Sequence, residues 1–245
     1  MEEIRYYNIE GAKVPLVISD EETALSRAKA QGRAVLGIMR GDVFLPVPYV
    51  AESLEDVDEV FAKRVILRQM GMPWVIAVTE RLIIREFRSE DWDEMEFLDH
   101  DVFLERDRFE AYIQTQYPFF EYGLWAVVER ASSKLVGRVG VWDGKEDEIH
   151  SSEQDIGERD INEQNISEQE VNTPLELGYH IFSAYRCRGY AREACCAVLR
   201  WCKQEESTAG RRIYTKIEAS NQASICLARE LGVIRILGKK ESLFS

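Results

Sequence analysis

The chain has 245 residues, 45% of them apolar and 10% aromatic, which suffices to bury a sizeable core and excludes wholesale disorder. Its 31 Lys and Arg against 44 Asp and Glu leave a formal charge of -13, which repels phosphate backbones and anionic lipid heads, so neither nucleic acid nor a membrane is an expected partner. No apolar run approaches the roughly 20 residues that cross a bilayer, and Met1-Glu2-Glu3 lacks the basic then apolar build of an export signal, so the expected location is cytoplasmic.

Residues 1–73 read as a small α/β unit. A short strand, Val14 to Ile18, leads to Ser19-Asp20 as a helix N-cap and a helix from Glu21 to Gln31, closed by Gly32. Ala34 to Met39 reads as a second strand and Tyr49 to Glu52 as a third. Ser53 to Asp56 has the form of a capping box, and the stripe Val57, Val60, Phe61 and Val65 predicts a helix running to Met70. This order predicts a three-stranded, mostly parallel sheet with helices packed on it. The runs Asp20 to Met39 and Tyr49 to Asp56 resemble the last third of a haloacid-dehalogenase-type fold. The paired nucleophilic aspartates of that family are absent, so the resemblance implies no phosphatase activity, and the unit reads as a docking or stabilising appendage.

Residues 77–245 read as a second, mixed α/β domain. Leu82 to Phe87 is a predicted strand, Ser89 starts a helix with acids at its positive dipole end, and a further helix covers Phe109 to Gln116. Leu124 to Glu129 and Leu135 to Trp142 form a predicted hairpin. From Lys145 to Asn172 ten acids face two bases, so -8 of the net -13 lies there, and the composition predicts a mobile acidic surface loop. Beyond it come a strand over Leu175 to Phe182, a helix over Ala191 to Lys203, a strand over Arg212 to Glu218, and a helix over Gln222 to Glu230 ended by Gly232. The five cysteines are confined to the last quarter with no Cys-x-x-Cys pair, so neither a disulfide framework nor a metal site is expected. Cys195 shares a helical stripe with Ala191, Ala194 and Val198, which reads as packing and argues against an acyl-carrying nucleophile.

The segment Arg186-Cys187-Arg188-Gly189-Tyr190-Ala191 lies between a strand and a helix, where backbone amides and the helix dipole converge as an anionic diphosphate requires. Gly189 lets the backbone approach closely. Together with Thr79-Glu80-Arg81-Leu82-Ile83-Ile84-Arg85, Leu175-Glu176-Leu177-Gly178-Tyr179 and Asn221-Gln222-Ala223-Ser224 leading into Leu231-Gly232-Val233, this loop resembles the GNAT superfamily of acyl-CoA N-acyltransferases. Within it the chain is similar to the ribosomal-protein N-terminal acetyltransferase branch, over about Thr79 to Val233.

The resemblance implies an α/β fold with a mixed sheet, a GNAT-like acyltransferase domain preceded by the small α/β domain, and acetyl-CoA as cosubstrate. It implies that the pantetheine arm pairs with exposed strand groups of Tyr179, His180, Ile181 and Phe182. The pyrophosphate would sit on the amides of Arg188, Gly189, Tyr190 and Ala191, with Arg186 or Arg188 adding charge, and Asn221 would hold the pantetheine. Glu176 matches the family's strand glutamate as general base, and Ser224 the position that protonates the departing thiolate. The competing reading of Glu176 is that it pairs with a surface arginine or orients substrate. Strand alternation puts Glu176, Gly178 and His180 on one face and Leu177, Tyr179 and Ile181 on the other. The aromatics Tyr112, Tyr117, Phe119, Phe120 and Tyr122 fit an acceptor wall or core packing equally.

The implied function is acetyl transfer to a primary amine of a protein or small molecule by direct attack in a ternary complex. The alternative is a non-catalytic acyl-CoA sensor or scaffold with a degenerate acceptor site. The family continues through two further strands after Leu231-Gly232-Val233, whereas only 234–245 remains here, with one short strand over Ile234 to Leu237 and a stub at Ser242 to Phe244 as candidates. An unpaired sheet edge there favours a homodimer through edge pairing or strand exchange.

Overall fold

The computed structural model describes residues 1–41, 44–95, 103, 105–144 and 173–238. The acidic segment 145–172 and the stub at 242–244 lie outside the described residues. The chain divides into two compact units, Met1–Trp74 and Val75–Ser245.

The first unit is built from β1 (Glu2–Ile9), β2 (Ala12–Ser19), α1 (Glu22–Ala30), β3 (Ala34–Ile38), β4 (Val50–Ala51) and α2 (Glu59–Gln69). Its sheet has four strands in the order β1-β2-β3-β4, not the three expected. The extra strand, β1, is antiparallel to β2 through a two-residue turn at Glu10 and Gly11, both with positive φ. Strand alternation sends Val17 and Val35 to a core with Leu25 and Ala28 of α1, and Leu16, Ile18 and Leu36 to a second core with Ala62, Val65 and Ile66 of α2. The expected capping box is a local turn: Asp56 accepts from Ser53 N and Ser53 Oγ at 2.9 and 2.8 Å. The helix starts later, where Asp58 accepts from Phe61 N at 2.7 Å.

The second unit contains β5 (Val75–Val78), β6 (Leu82–Arg85), a 3-10 turn (Ser89–Glu94), α3 (Arg106–Phe120), β7 (Leu124–Glu129), β8 (Leu135–Asp143), β9 (Leu175–Ile181), a second 3-10 turn (Ser183–Tyr185), α4 (Tyr190–Cys202), β10 (Ile213–Glu218), α5 (Gln222–Leu231) and β11 (Ile234–Gly238). The seven strands run in the order β11-β10-β9-β8-β7-β6-β5. They are antiparallel from β5 to β9 and parallel from β9 to β11. On one face α3 buries Phe109 in an aromatic cluster with Phe87 and Phe103. On the other face α4 buries Ala194, Cys195 and Val198, with Trp201 edge-on to Trp125 at 4.8 Å between centroids.

One irregularity positions the site. β8 and β9 pair over seven residues, from Gly137↔Ile181 to Asp143↔Leu175. β9 and β10 pair only at Ile213↔Leu175 and Tyr214↔Glu176, after which the two parallel strands part. Beyond Glu176 the β10-facing edge of β9 is open. Among the described residues no helix is long and apolar enough to cross a membrane.

Candidate active site

A cleft of about 630 Å³ occupies the opening between β9 and β10, lined by Glu176, Gly178 and Tyr179 on β9, Lys216 on β10, and Asn221 and Ser224 at the start of α5. Tyr112 and Gln116 of α3, with Arg138 and Trp142 of β8, complete its wall. Gly178 sits across from Gly140, and a Cβ on Gly178 would collide with the Trp142 indole, so the glycine is what lets that ring lie against the strand.

Glu176 lies at the last paired position before the strands separate. Its side chain is 15% exposed and 3.7 Å from Lys216 Nζ, and Tyr214 Oη donates to Oε2 at 3.3 Å. The ion pair is therefore present, but with Lys216 across the cleft and not with an arginine.

At the facing end, Asn221 Oδ1 caps α5 by accepting from Ser224 N at 3.1 Å. Tyr179 Oη donates to the Ser224 carbonyl at 3.3 Å, and burial raises the Tyr179 hydroxyl above its ordinary pKa, so it remains a donor at neutral pH. Tyr179 thus ties Ser224 to β9, and Asn221 Oδ1 is already committed to the cap.

The four strand residues expected to meet pantetheine divide by direction. Phe182 N donates to Val136 O at 2.9 Å, so Phe182, and His180 two residues earlier, turn their backbone groups to β8. Only Tyr179 and Ile181 present theirs to the open side, and the Ile181 carbonyl already accepts from Arg186 Nε at 2.9 Å. His180 and Phe182 are accordingly corrected to positions that back the edge.

The loop Arg186 to Ala191 ends in α4, whose N-cap is Gly189 at φ 80, without a side-chain cap. The first-turn amides of a helix have no intrahelical acceptor, so Gly189, Tyr190 and Ala191 stand where amides and dipole favour an anion. The two arginines fold back: Arg188 Nη2 donates to Ala184 O at 3.0 Å and its guanidinium lies 5.2 Å from the Tyr185 ring. Tyr190 is buried, and its hydroxyl hydrogen-bonds the Glu129 carboxylate. Glu129 is held below its ordinary pKa by the Ser132 hydroxyl and then by Tyr190.

Of the aromatic set only Tyr112 faces the cleft, and its hydroxyl also accepts from Leu124 N at 2.6 Å. Tyr117 is fully buried and serves the core, while Phe119 is 80% exposed. Burial pushes the Cys195 thiol far above its ordinary value and Cys202 up to about 12, so neither is a thiolate at neutral pH. Among the described residues no group of three or more His, Cys, Asp or Glu could hold a metal ion. Arg138, Trp142 and Lys216 were not expected from the sequence, although period-two alternation from the strands facing Glu176 points to all three.

A family model described as acetyltransferase (GNAT) domain matches residues 81–234, more than half of the chain, and the chain belongs to that family. It is an acyltransferase that uses acetyl-CoA, acting on an amine acceptor. Solved structures similar to it include the acetyltransferase from Agrobacterium tumefaciens str. C58, at 17% identity and TM-score 0.44 over 64% of this chain and 81% of that one. Another is ribosomal-protein-S5-alanine acetyltransferase from Vibrio fischeri, at 15% identity and TM-score 0.45 over 64% and 81%. A third is yncA from Salmonella typhimurium, which was solved with its cofactor acetyl-CoA and aligns at 14% identity and TM-score 0.43 over 62% and 79%. No curated protein matches the sequence.

Proposed function

We propose that residues 77–245, which lie within the second unit, transfer the acetyl group of acetyl-CoA to a primary amine of a protein or small molecule by direct attack in the cleft between β9 and β10, with residues 1–73 forming a separate domain. The observation that carries this reading is the convergence of Glu176, Tyr179, Asn221 and Ser224 on one cleft where the sheet opens. Acetyl-CoA supplies an activated acyl group; the chain's own residues bind, orient and move protons.

The open edge at Tyr179 and Ile181 takes the amides of the pantetheine arm as an added half-strand would. The first turn of α4 receives the diphosphate, with Arg186 and Arg188 adding positive charge. Glu176 accepts the proton that the amine must lose before it attacks, and an incoming ammonium displaces Lys216 from that carboxylate. Ser224, fixed by the Asn221 cap and the Tyr179 bond, gives a proton to the departing thiolate.

Free thiol release is measured with a panel of amines for the wild-type chain, Glu176→Gln and Ser224→Ala. The expected result is turnover on at least one amine that falls about 10²- to 10⁴-fold in Glu176→Gln, with coenzyme A affinity retained. Wild-type turnover equal to that of both variants on every amine defeats the assignment.

A further inference from the structure

Residues outside the anion loop shape it. Arg81, in the turn before β6, lies 107 residues from Arg188, yet its Nη1 donates to the Arg188 carbonyl at 2.8 Å. Its Nε and Nη2 reach Glu193 Oε2 at 2.7 and 2.6 Å, and its guanidinium lies 4.8 Å from the Tyr190 ring. One planar group thus holds three parts of the loop and the first turn of α4. The turn that carries it is anchored in its own right. Thr79 Oγ1 donates to Glu193 Oε1 at 2.6 Å, and Arg130 Nη1 donates to the carbonyls of Thr79 and Glu80 at 2.9 Å each.

We infer that Arg81 is a positioning residue for coenzyme A, acting on the diphosphate through the Arg188–Gly189 peptide. The inference rests on the reading under Proposed function. A trans peptide is planar, with its C=O and N–H pointing in opposite directions. Drawing the Arg188 carbonyl toward Arg81 therefore aims the Gly189 amide the other way. The loop needs that restraint, because Cys187 at φ 60 and Gly189 at φ 80 stand on either side of Arg188 with positive φ, and a non-glycine residue adopts that region only at a cost.

The test titrates the full chain and its Arg81→Ala and Arg81→Lys variants with coenzyme A and, separately, with pantetheine, which has the thiol arm but no diphosphate. Wild type is expected to bind coenzyme A more tightly than pantetheine; binding of neither overturns the proposed function itself. Arg81→Ala is expected to weaken coenzyme A about 10- to 150-fold, the value of one hydrogen bond to a charged group, with pantetheine unchanged. KM for acetyl-CoA rises by the same factor while kcat at saturation holds. Arg81→Lys keeps the charge but not the fork, and is expected to recover less than half of the lost affinity on a logarithmic scale. Equal loss for both ligands would show general damage, no loss for either would show no role, and full rescue by lysine would show simple charge; each of these overturns the inference.

Discussion

The strand motif Thr79 to Arg85 carries a second arginine whose work is different, and replacing its partner separates stability from catalysis. Asp91 is fully buried and takes Arg85 in two parallel bonds, Nη1 to Oδ2 at 2.6 Å and Nη2 to Oδ1 at 2.7 Å. Arg88 N donates to the same carboxylate at 3.0 Å, so Asp91 also caps the 3-10 turn Ser89–Glu94. Asp91→Ala leaves the Arg85 guanidinium, in a residue only 8% exposed, without its counter-charge. Removing one partner of such a pair costs about 3–5 kcal/mol, the larger part being desolvation of the charge left behind. At about 2–4 °C per kcal/mol for a unit of this size, the transition of the second unit falls by about 6–20 °C. Scanning calorimetry and near-ultraviolet circular dichroism follow it, with turnover per folded molecule unchanged well below the transition. The double variant Arg85→Met, Asp91→Leu is expected to recover most of the loss, because it removes both desolvation terms. A loss in Asp91→Ala no larger than the roughly 1 kcal/mol of a surface pair would refute the reasoning.

Three further outcomes are expected. Gly178→Ala forces the Trp142 ring off β9, so kcat/KM for the amine falls and tryptophan emission shifts, whereas unchanged emission would mean the ring never rested there. Glu193 loses some affinity for its charge through burial, but bonds from Thr79 and Arg81 outweigh this and hold it below its ordinary pKa of 4.5. The unfolded chain then binds more protons than the folded one, so this contribution is fully present above that value and is lost as the pH falls through the lower folded value. The stability gap between wild type and Glu193→Gln should therefore be constant near neutrality and shrink in acid, and a gap that widens on acidification contradicts the sign. In native alkylation read by mass spectrometry, the exposed Cys187 and Cys226 should label first and the buried Cys195 and Cys202 last.

The elements that sequence reasoning located best are those that bury a regular stripe or alternate face, such as α4 with Ala194, Cys195 and Val198, or β7 and β8 in the sheet centre. The strands it missed, β1 and β5, lie at sheet edges. There Tyr6 is 56% and Val78 60% exposed, so little burial contrast marks either strand. Ser53 to Asp56 misled because an acid three residues after a serine accepts that serine's backbone N–H in a turn as it does at a helix start, while here the Ser53 hydroxyl also donates to the acid. The cleft residues Glu176 and Ser224 carried motif signals, and Arg138 and Lys216 were accessible through strand alternation. The Arg81 bond to Arg188 had no such signal, since no local periodicity couples positions 107 residues apart.

The most direct measurement is a crystal structure of the full chain with coenzyme A bound. The expected result has the diphosphate on the amides of Gly189 to Ala191, the pantetheine amides on the free edge at Tyr179 and Ile181, and the sulfur within reach of Ser224 Oγ. A coenzyme lodged elsewhere on the chain, or β10 found paired to β9 along its whole length with no room between them, would contradict it.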